Sequence, residues 1–289
     1  MKWSRLALPA LVPVALVGCL DSGSSSGGGD GTTSFDPITY TGETTQATFD
    51  NTDFSSIEPF LEGVPGLREV EEVLSNVEDV VWDALNVQTL SGNETLTGSC
   101  GGTLSVVFTS TYNNETDEGT YDATFSADNY CDTNIADTKV EMNGSMVVDA
   151  DYSEATDNEY VRRNSYAFDE FSIKGDDTNM GLDGTIDYSY LSSTRTSTVD
   201  LVIEERTEGI EGKFTAFTVV ALVEDDGSPL PAKSVQGRID LSGLGYAQLE
   251  TLENMISFDA DGYPTSGKIR LTGTNAVDVT FTAGEPVIE

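Results

Sequence analysis

Beyond Asn86 the chain alternates. Valine, threonine, tyrosine, phenylalanine and isoleucine stand one residue apart, with serine, aspartate and threonine between them. Clusters of Asn, Asp and Gly interrupt the runs. A period of two broken in this way predicts antiparallel strands joined by turns. Leu104, Val106 and Phe108 alternate on one run and Ala123, Phe125 and Ala127 on the next. Pairing Leu104 with Ala127, Val106 with Phe125 and Phe108 with Ala123 puts all of them on one face, as a half-buried sheet requires. The turn then falls in 113–118. The same register, chosen from apolar residues alone, sets Cys100 opposite Cys131. A disulfide between them is expected. A second hairpin sets Ile186, Tyr188 and Tyr190 against Ile203, Leu201 and Val199, turning near Thr194-Arg195. Tyr188 and Tyr190 share a face with Ile186, which predicts core rather than a sugar-stacking platform.

Gly102, Gly119, Gly144, Gly184, Gly237 and Gly267 each open a run of glycine, one polar residue, then apolar alternation. Their spacing is irregular, which excludes a solenoid of fixed period and predicts a meander whose strands begin or bend at glycine. Further strands are expected near 138–152, 159–174, 212–224, 230–242, 252–259 and 276–283. One segment has a different period. Leu67, Val70, Val73, Leu74, Val77, Val80, Val81, Ala84 and Leu85 fall on an arc about 140° wide at about 100° per residue, with Glu69, Glu71, Glu72, Glu78, Asp79 and Asp83 elsewhere. Pro65 and Asn86 fit its ends. This predicts an amphipathic helix near 66–86, with Trp82 off its stripe, over a strand edge or at a pocket rim. The fold class is therefore mainly β: an antiparallel meander of about a dozen strands forming a strongly curved sheet or a barrel. The one early helix packs on its concave face or plugs an end. A two-sheet β-sandwich is the alternative.

The N-terminus has another character. Lys2 and Arg5 precede an apolar run, 6–17, that is shorter than the about 20 residues a membrane span needs. A basic start before a short apolar run is an export signal. The run ends in Leu16-Val17-Gly18-Cys19, which resembles the lipobox of bacterial lipoproteins. That resemblance implies diacylglycerol on the Cys19 sulfur, cleavage before Cys19 and acylation of the new amino group. Leu20 stands where inner-membrane retention in that family uses Asp, so the outer membrane is expected. Residues 21–34 are Gly/Ser-rich and carry no apolar side chain, so they form a flexible tether. The expected organisation is a signal peptide over 1–18, lipidated Cys19 and tether over 19–34, and one β-rich domain over 35–289. The stretch Phe258 to Gly273 is similar to stretches in uncharacterised β-rich lipoproteins of Gram-negative bacteria, which implies architecture and no activity.

Composition narrows the chemistry. Net charge is −36, with 50 acidic against 14 basic residues. Nucleic acid and anionic lipid surfaces need clustered Lys and Arg, so neither is an expected partner. There is no histidine, which removes Ser-His-Asp and Cys-His machinery and imidazole metal ligands. Two cysteines remain in the domain, too few for an ordinary structural zinc site. Calcium is the one cofactor left open, with Asp259 and Asp261 as weak candidates. Their loop lacks the EF-hand spacing: Gly262 comes fourth, and Arg270 stands where the glutamate belongs. It is expected to be a β-turn, as are Asp225-Asp226-Gly227 and Asp176-Asp177. No catalytic residue is recognisable, and a non-enzyme is expected. The functional expectation is a membrane-anchored envelope protein with an interaction or structural role. A carrier of lipid or another hydrophobic ligand, held between helix and sheet, is the first alternative. A carboxylate-based glycoside hydrolase is the second. The partners expected are the membrane, through the lipid, and an envelope protein or a lipid ligand.

Overall fold

The computed structural model describes residues 38–61, residue 70, and residues 91–289 apart from 114–117, 136–137, 156–158, 176–178, 192–193, 208, 224–228, 256–263 and 283–285. The signal segment, Cys19, the tether and, save for Val70, the expected helix over 66–86 with Trp82 lie outside the described residues. Val70 is helical and fully buried in the core.

The strands run in chain order. They are β1 (Ser91–Thr97), β2 (Gly101–Asn113), β3 (Glu118–Ile135), β4 (Thr138–Ala155) and β5 (Glu159–Lys174). Next come β6 (Asn179–Leu191), β7 (Thr194–Glu205), β8 (Ile210–Val223) and β9 (Pro229–Leu241). The last are β10 (Gly245–Glu253), β11 (Gly267–Thr272), β12 (Ala276–Phe281) and β13 (Val287–Ile288). Each pairs with its neighbour in sequence, all antiparallel, in one 13-stranded sheet with β1 and β13 at its edges. The sheet is not closed into a barrel, and a single sheet replaces the sandwich alternative. The strand expected over 252–259 is corrected. Pairing with β9 and then β11 carries β10 over Gly245–Glu253. Asn254 and Met255 are not in a strand, and 256–259 lie outside the described residues.

The first hairpin has the register its apolar alternation demands: Leu104 faces Ala127, Val106 faces Phe125 and Phe108 faces Ala123. All six are buried. Beyond Leu104 a bulge shifts the register so that Cys131 faces Gly101 rather than Cys100, yet Cys100 and Cys131 still form a disulfide, and the Cys100 amide donates to the Cys131 carbonyl. The second hairpin keeps its face but not its register. Ile186 pairs with Val199, Tyr188 with Ser197 and Tyr190 with Arg195. The chain turns between Leu191 and Thr194, so β7 begins two residues earlier than expected. An even slip preserves the buried face, which is why alternation alone does not detect it.

The sheet bends along a line across its middle. Asn129 in β3, Glu170 in β5 and Ala216 in β8 sit at bulges with φ of 48°, 47° and 45°. In each case the amide of the bulged residue donates to a side chain on an adjacent strand. Asn129 donates to Asn143 Oδ1 (3.2 Å), Glu170 to Asp183 Oδ1 (3.3 Å) and Ala216 to Asp200 Oδ1 (2.7 Å). Glycines of the sequence repeat, Gly102, Gly144, Gly184 and Gly237, occupy the intervening positions at positive φ. A Cβ on Gly144 would lie 2.0 Å from the Glu170 carbonyl oxygen. Gly119 alone among the repeat glycines before β9 has no positive φ; it lies near the hairpin turn, away from this line. Bulges raise local twist and bend strands, so this crease curls one face inward.

The inward face is dry. Side chains from β2 to β12 form one buried cluster. Leu104, Val106, Phe125, Met146, Leu182, Phe217, Ile239, Leu249 and Leu271 are at most 2 % exposed, which leaves no water-sized space against them. Residues 38–61 close one end. The Thr39 amide donates to Glu204 and the Thr41 amide to Glu211. Gln46 bridges Tyr246 in parallel. Asn275 clamps Phe49 with two bonds of 3.0 Å, one to its amide and one to its carbonyl. Past this strap, a 3-10 turn over Phe54–Ser56 is capped by Asp53. It delivers Ile57 and Phe60, both essentially fully buried, into the core, where Phe60 meets Phe49 edge-on with centroids 5.5 Å apart. Among the described residues no helix is long and apolar enough to cross a membrane.

Candidate functional site

The inward face is not uniform along the strands. One row across it, Val148, Tyr166, Ile186, Val199 and Phe217, is almost wholly apolar and follows the register of β4 to β8. One step further from the strap the row is Tyr121, Ala150, Asn164, Tyr188, Ser197 and Val219. A further step brings Tyr190 opposite Arg195 and Arg195 opposite Ala221. Backbone register puts Tyr112, Tyr152 and Arg162 in that same outermost row. The face therefore grades from aliphatic to tyrosine, amide, hydroxyl and guanidinium within two residues of strand.

Arg195 is the costly member of this end. It is 7 % exposed, and its guanidinium lies over the Tyr188 ring, 5.3 Å from the centroid. Tyr188 meets Tyr166 edge-on, with centroids 5.8 Å apart. Taking a guanidinium out of water costs several kcal/mol unless hydrogen bonds and charge repay it. A cation over a tyrosine face returns about 0.5–2 kcal/mol of that, and Arg195 has other contacts besides. Beside it Ser197 is 3 % exposed, and its Oγ has no hydrogen-bond partner among the described residues. A buried hydroxyl left unpaired costs about 1–3 kcal/mol. Asn164, also buried, completes a polar group on three adjacent strands.

Sequence reasoning assigned Arg195 to a turn. Its pairing with Tyr190 instead makes it the second residue of β7, on the side of Val199 and Leu201. The signal that finds it is alternation: Arg195, Ser197, Val199 and Leu201 keep one parity, so the buried face runs into charge before the strand ends.

The other anticipated positions distribute as follows. Cys100 and Cys131 form the bridge described above. Cys19 lies outside the described residues. So do Asp259 and Asp261, and the turn candidates Asp225-Asp226-Gly227 and Asp176-Asp177. Among the described residues no group of three or more Cys, Asp or Glu is arranged to hold a metal. One carboxylate has a raised pKa without a cleft. Partial desolvation against the sheet, then the charges of Asp122 and Asp151, push Asp149 above the usual range. It stands directly across from Asp122 on the exposed outer face. A second polar group lies under the strap. The carboxylate of Asp240, 1 % exposed, takes a two-pronged bond from Arg238, which stacks on Tyr246 at 3.7 Å from its centroid. Burial, followed by the charges of Asp240 and Glu211, pushes Tyr40 up to about 12. The Arg238–Asp240 pair and the Tyr246 stack lie within β9 and β10, and the Tyr40 hydroxyl donates to the Glu43 carbonyl within the strap.

Comparison with protein-family models, with curated proteins and with solved structures finds no match.

Proposed function

We propose that the chain is a lipid-anchored protein of the bacterial envelope. On this reading it is held to the outer membrane through Cys19 and works through binding at its surface rather than through catalysis or carriage. The observation that carries this reading is the filled inward face. A carrier of hydrophobic ligands needs an apolar cavity of several hundred cubic ångströms. Here the side chains that would line it are packed against one another, and the largest among them, including Phe125, Phe171, Phe217 and Met146, are buried to within 2 %. That leaves the outer face and the polar end of the inward face to meet a partner. Two further facts support the location. Cys100 and Cys131 are bridged, which suits an oxidising compartment. The residues ending the N-terminal apolar run match the lipobox at every position.

The test is native mass spectrometry of the full-length protein purified from its own outer membrane. The expected result is a mature chain beginning at Cys19 with covalent acyl groups there and nothing else bound. A stoichiometric, non-covalently held lipid would refute the filled-core reading. An unacylated chain would refute the anchor.

A further inference from the structure

We infer that the end of the sheet at which the N-terminal strap enters faces the membrane, with Ile210 and Leu244 seated in a zwitterionic lipid surface. The inference deepens the envelope-anchored reading above and rests on it. Two adjacent turns are the starting point. Gly209 precedes Ile210, and Gly243 precedes Leu244. Both glycines take positive φ, 71° and 76°, and neither has an atom within 4 Å of its Cβ position, so both turns project into open space. Turn tips ordinarily carry polar residues. Here each glycine is followed by a large aliphatic side chain, with Ile210 50 % exposed and Leu244 45 % exposed. The two are neighbours. The Ser242 amide donates to the Glu211 carbonyl and the Glu211 amide to Ser242 Oγ, which sets Ile210 beside the turn that carries Leu244.

The strap identifies what covers these tips. Residues 38–41 cross the strands at the same end. Ile38 is buried over Gly181 in β6, the Thr39 amide bonds Glu204 in β7, and the Thr41 amide bonds Glu211 in β8. From Ile38 back to Cys19 there are 18 intervening residues. A Gly/Ser-rich stretch of that length has a root-mean-square reach of about 23 Å. β7, with 12 residues, is about 40 Å long. An anchor at Cys19 therefore holds the strap end nearest the bilayer, and Leu191, at the far end, stays a strand length away. Charge selects the lipid. Glu204 pairs with Arg206 at 3.0 Å, Glu205 accepts from the Thr207 amide and Glu211 from Thr41. These carboxylates keep their charge, so anionic headgroups repel this end and zwitterionic ones do not. Two half-exposed side chains make a weak contact. A weak contact suffices, because a short tether supplies an effective concentration in the millimolar range.

The experiment is bromolipid quenching of tryptophan fluorescence. In the mature chain beginning at Cys19, with Cys100 and Cys131 bridged, Cys19 is the one free thiol. It is coupled to a maleimide phospholipid in phosphatidylcholine vesicles with brominated acyl chains. Tryptophan replaces one tip at a time in L244W and I210W, and the far end in L191W (exposed by 53 % in the parent). The parent, with Trp82, sets the baseline. Quenching of the added tryptophan is expected to be at least three-fold greater in L244W and I210W than in L191W. Adding I210S to L244W should cut its quenching at least two-fold, and replacing half of the lipid by phosphatidylglycerol should lower it as well. In the coupled parent, amide exchange at Ile210 and Leu244 should be at least two-fold slower than in the uncoupled chain, a readout that needs no variant. Equal quenching at the two ends, no quenching above baseline at either tip, stronger quenching in the anionic vesicles, or unchanged exchange overturns the inference. Chemical coupling at Cys19 takes the place of acylation in the cell, so failure here and failure of the anchored-protein reading, which mass spectrometry tests, are separate results.

Discussion

Replacing Gly144 by alanine tests the crease directly. Gly144 has φ of +87°, a conformation in which an L side chain costs about 1–2 kcal/mol. The added methyl would also lie 2.0 Å from the Glu170 carbonyl oxygen, 2.5 Å from its carbon and 2.9 Å from the Asp169 oxygen. All three are backbone atoms, so no rotamer change relieves the overlap. β5 has to withdraw from β4, and the bond from the Glu170 amide to Asp183 is lost with the displaced bulge. At about 1 kcal/mol for each hydrogen bond forfeited, the total loss is roughly 3–5 kcal/mol. Gly243 is the control. It has φ of +76° and nothing within 4 Å of the Cβ position, so G243A meets only the conformational penalty. The gain from a stiffer unfolded chain, about 0.4–1 kcal/mol, is common to both variants and cancels. Urea unfolding followed by far-UV circular dichroism should place G144A about 2–3 kcal/mol below G243A. Two variants within about 0.5 kcal/mol of each other would show that the strands do not approach as closely as the crease requires.

Removing the bridge with C100S/C131S should cost about 3–4 kcal/mol by loop-closure entropy for a separation of 31 residues, and lower the melting temperature by roughly 7–14 °C. An unchanged melting temperature contradicts this. Asp278 is held below the usual carboxylate range by Arg270, with Lys268 adding to it. Its contribution to stability is therefore present above the unfolded value of about 3.9 and is lost as pH falls through its depressed folded value. D278N should flatten the acid limb of the stability curve below about pH 4, and parallel curves for variant and parent would disprove the role. Asp149 has the opposite sign. Its folded pKa is raised, so the fold is favoured at low pH and loses that advantage as pH rises through the raised value. D149N should be more stable than the parent at pH 7, and a loss of stability in urea unfolding there would contradict the repulsion from Asp122 and Asp151.

Period-two alternation made the sheet legible because each strand buries a single face, and Leu104, Val106 and Phe108 had only one parity to offer. The first register was legible for the same reason over Leu104–Phe108, and the bridge formed although a bulge moves Cys131 opposite Gly101. The second was not. A slip of two residues on each strand keeps Ile186, Tyr188 and Val199 inward, so pattern alone is blind to it, and the turn chemistry near Ser192 and Ser193 resembles that of many neighbouring polar residues. Arg195 was missed as a consequence. The repeat glycines announced bends, but not that Asn129, Glu170 and Ala216 would supply the bulges between them, since none is a residue type that favours positive φ as strongly as glycine. The strap was illegible for a different reason: its partners lie far away in the chain, and only folding brings Phe49 to Asn275.

That distance has a kinetic meaning. Every strand pairs with the one made just before it, so the sheet can grow in the order in which the chain emerges, through closures of short loops that are entropically cheap. Residues 45–49 are the exception. Thr48 meets Thr274 across 226 residues, so this part of the strap has no seat until β10, β11 and β12 have formed. Completion of the C-terminal strands is thus what the N-terminal strap waits for. A chain truncated before β11 would keep most of its ladder and lose its latch, with Phe49, Ile57 and Phe60 left in water, a form that proteases and chaperones can distinguish from the finished protein.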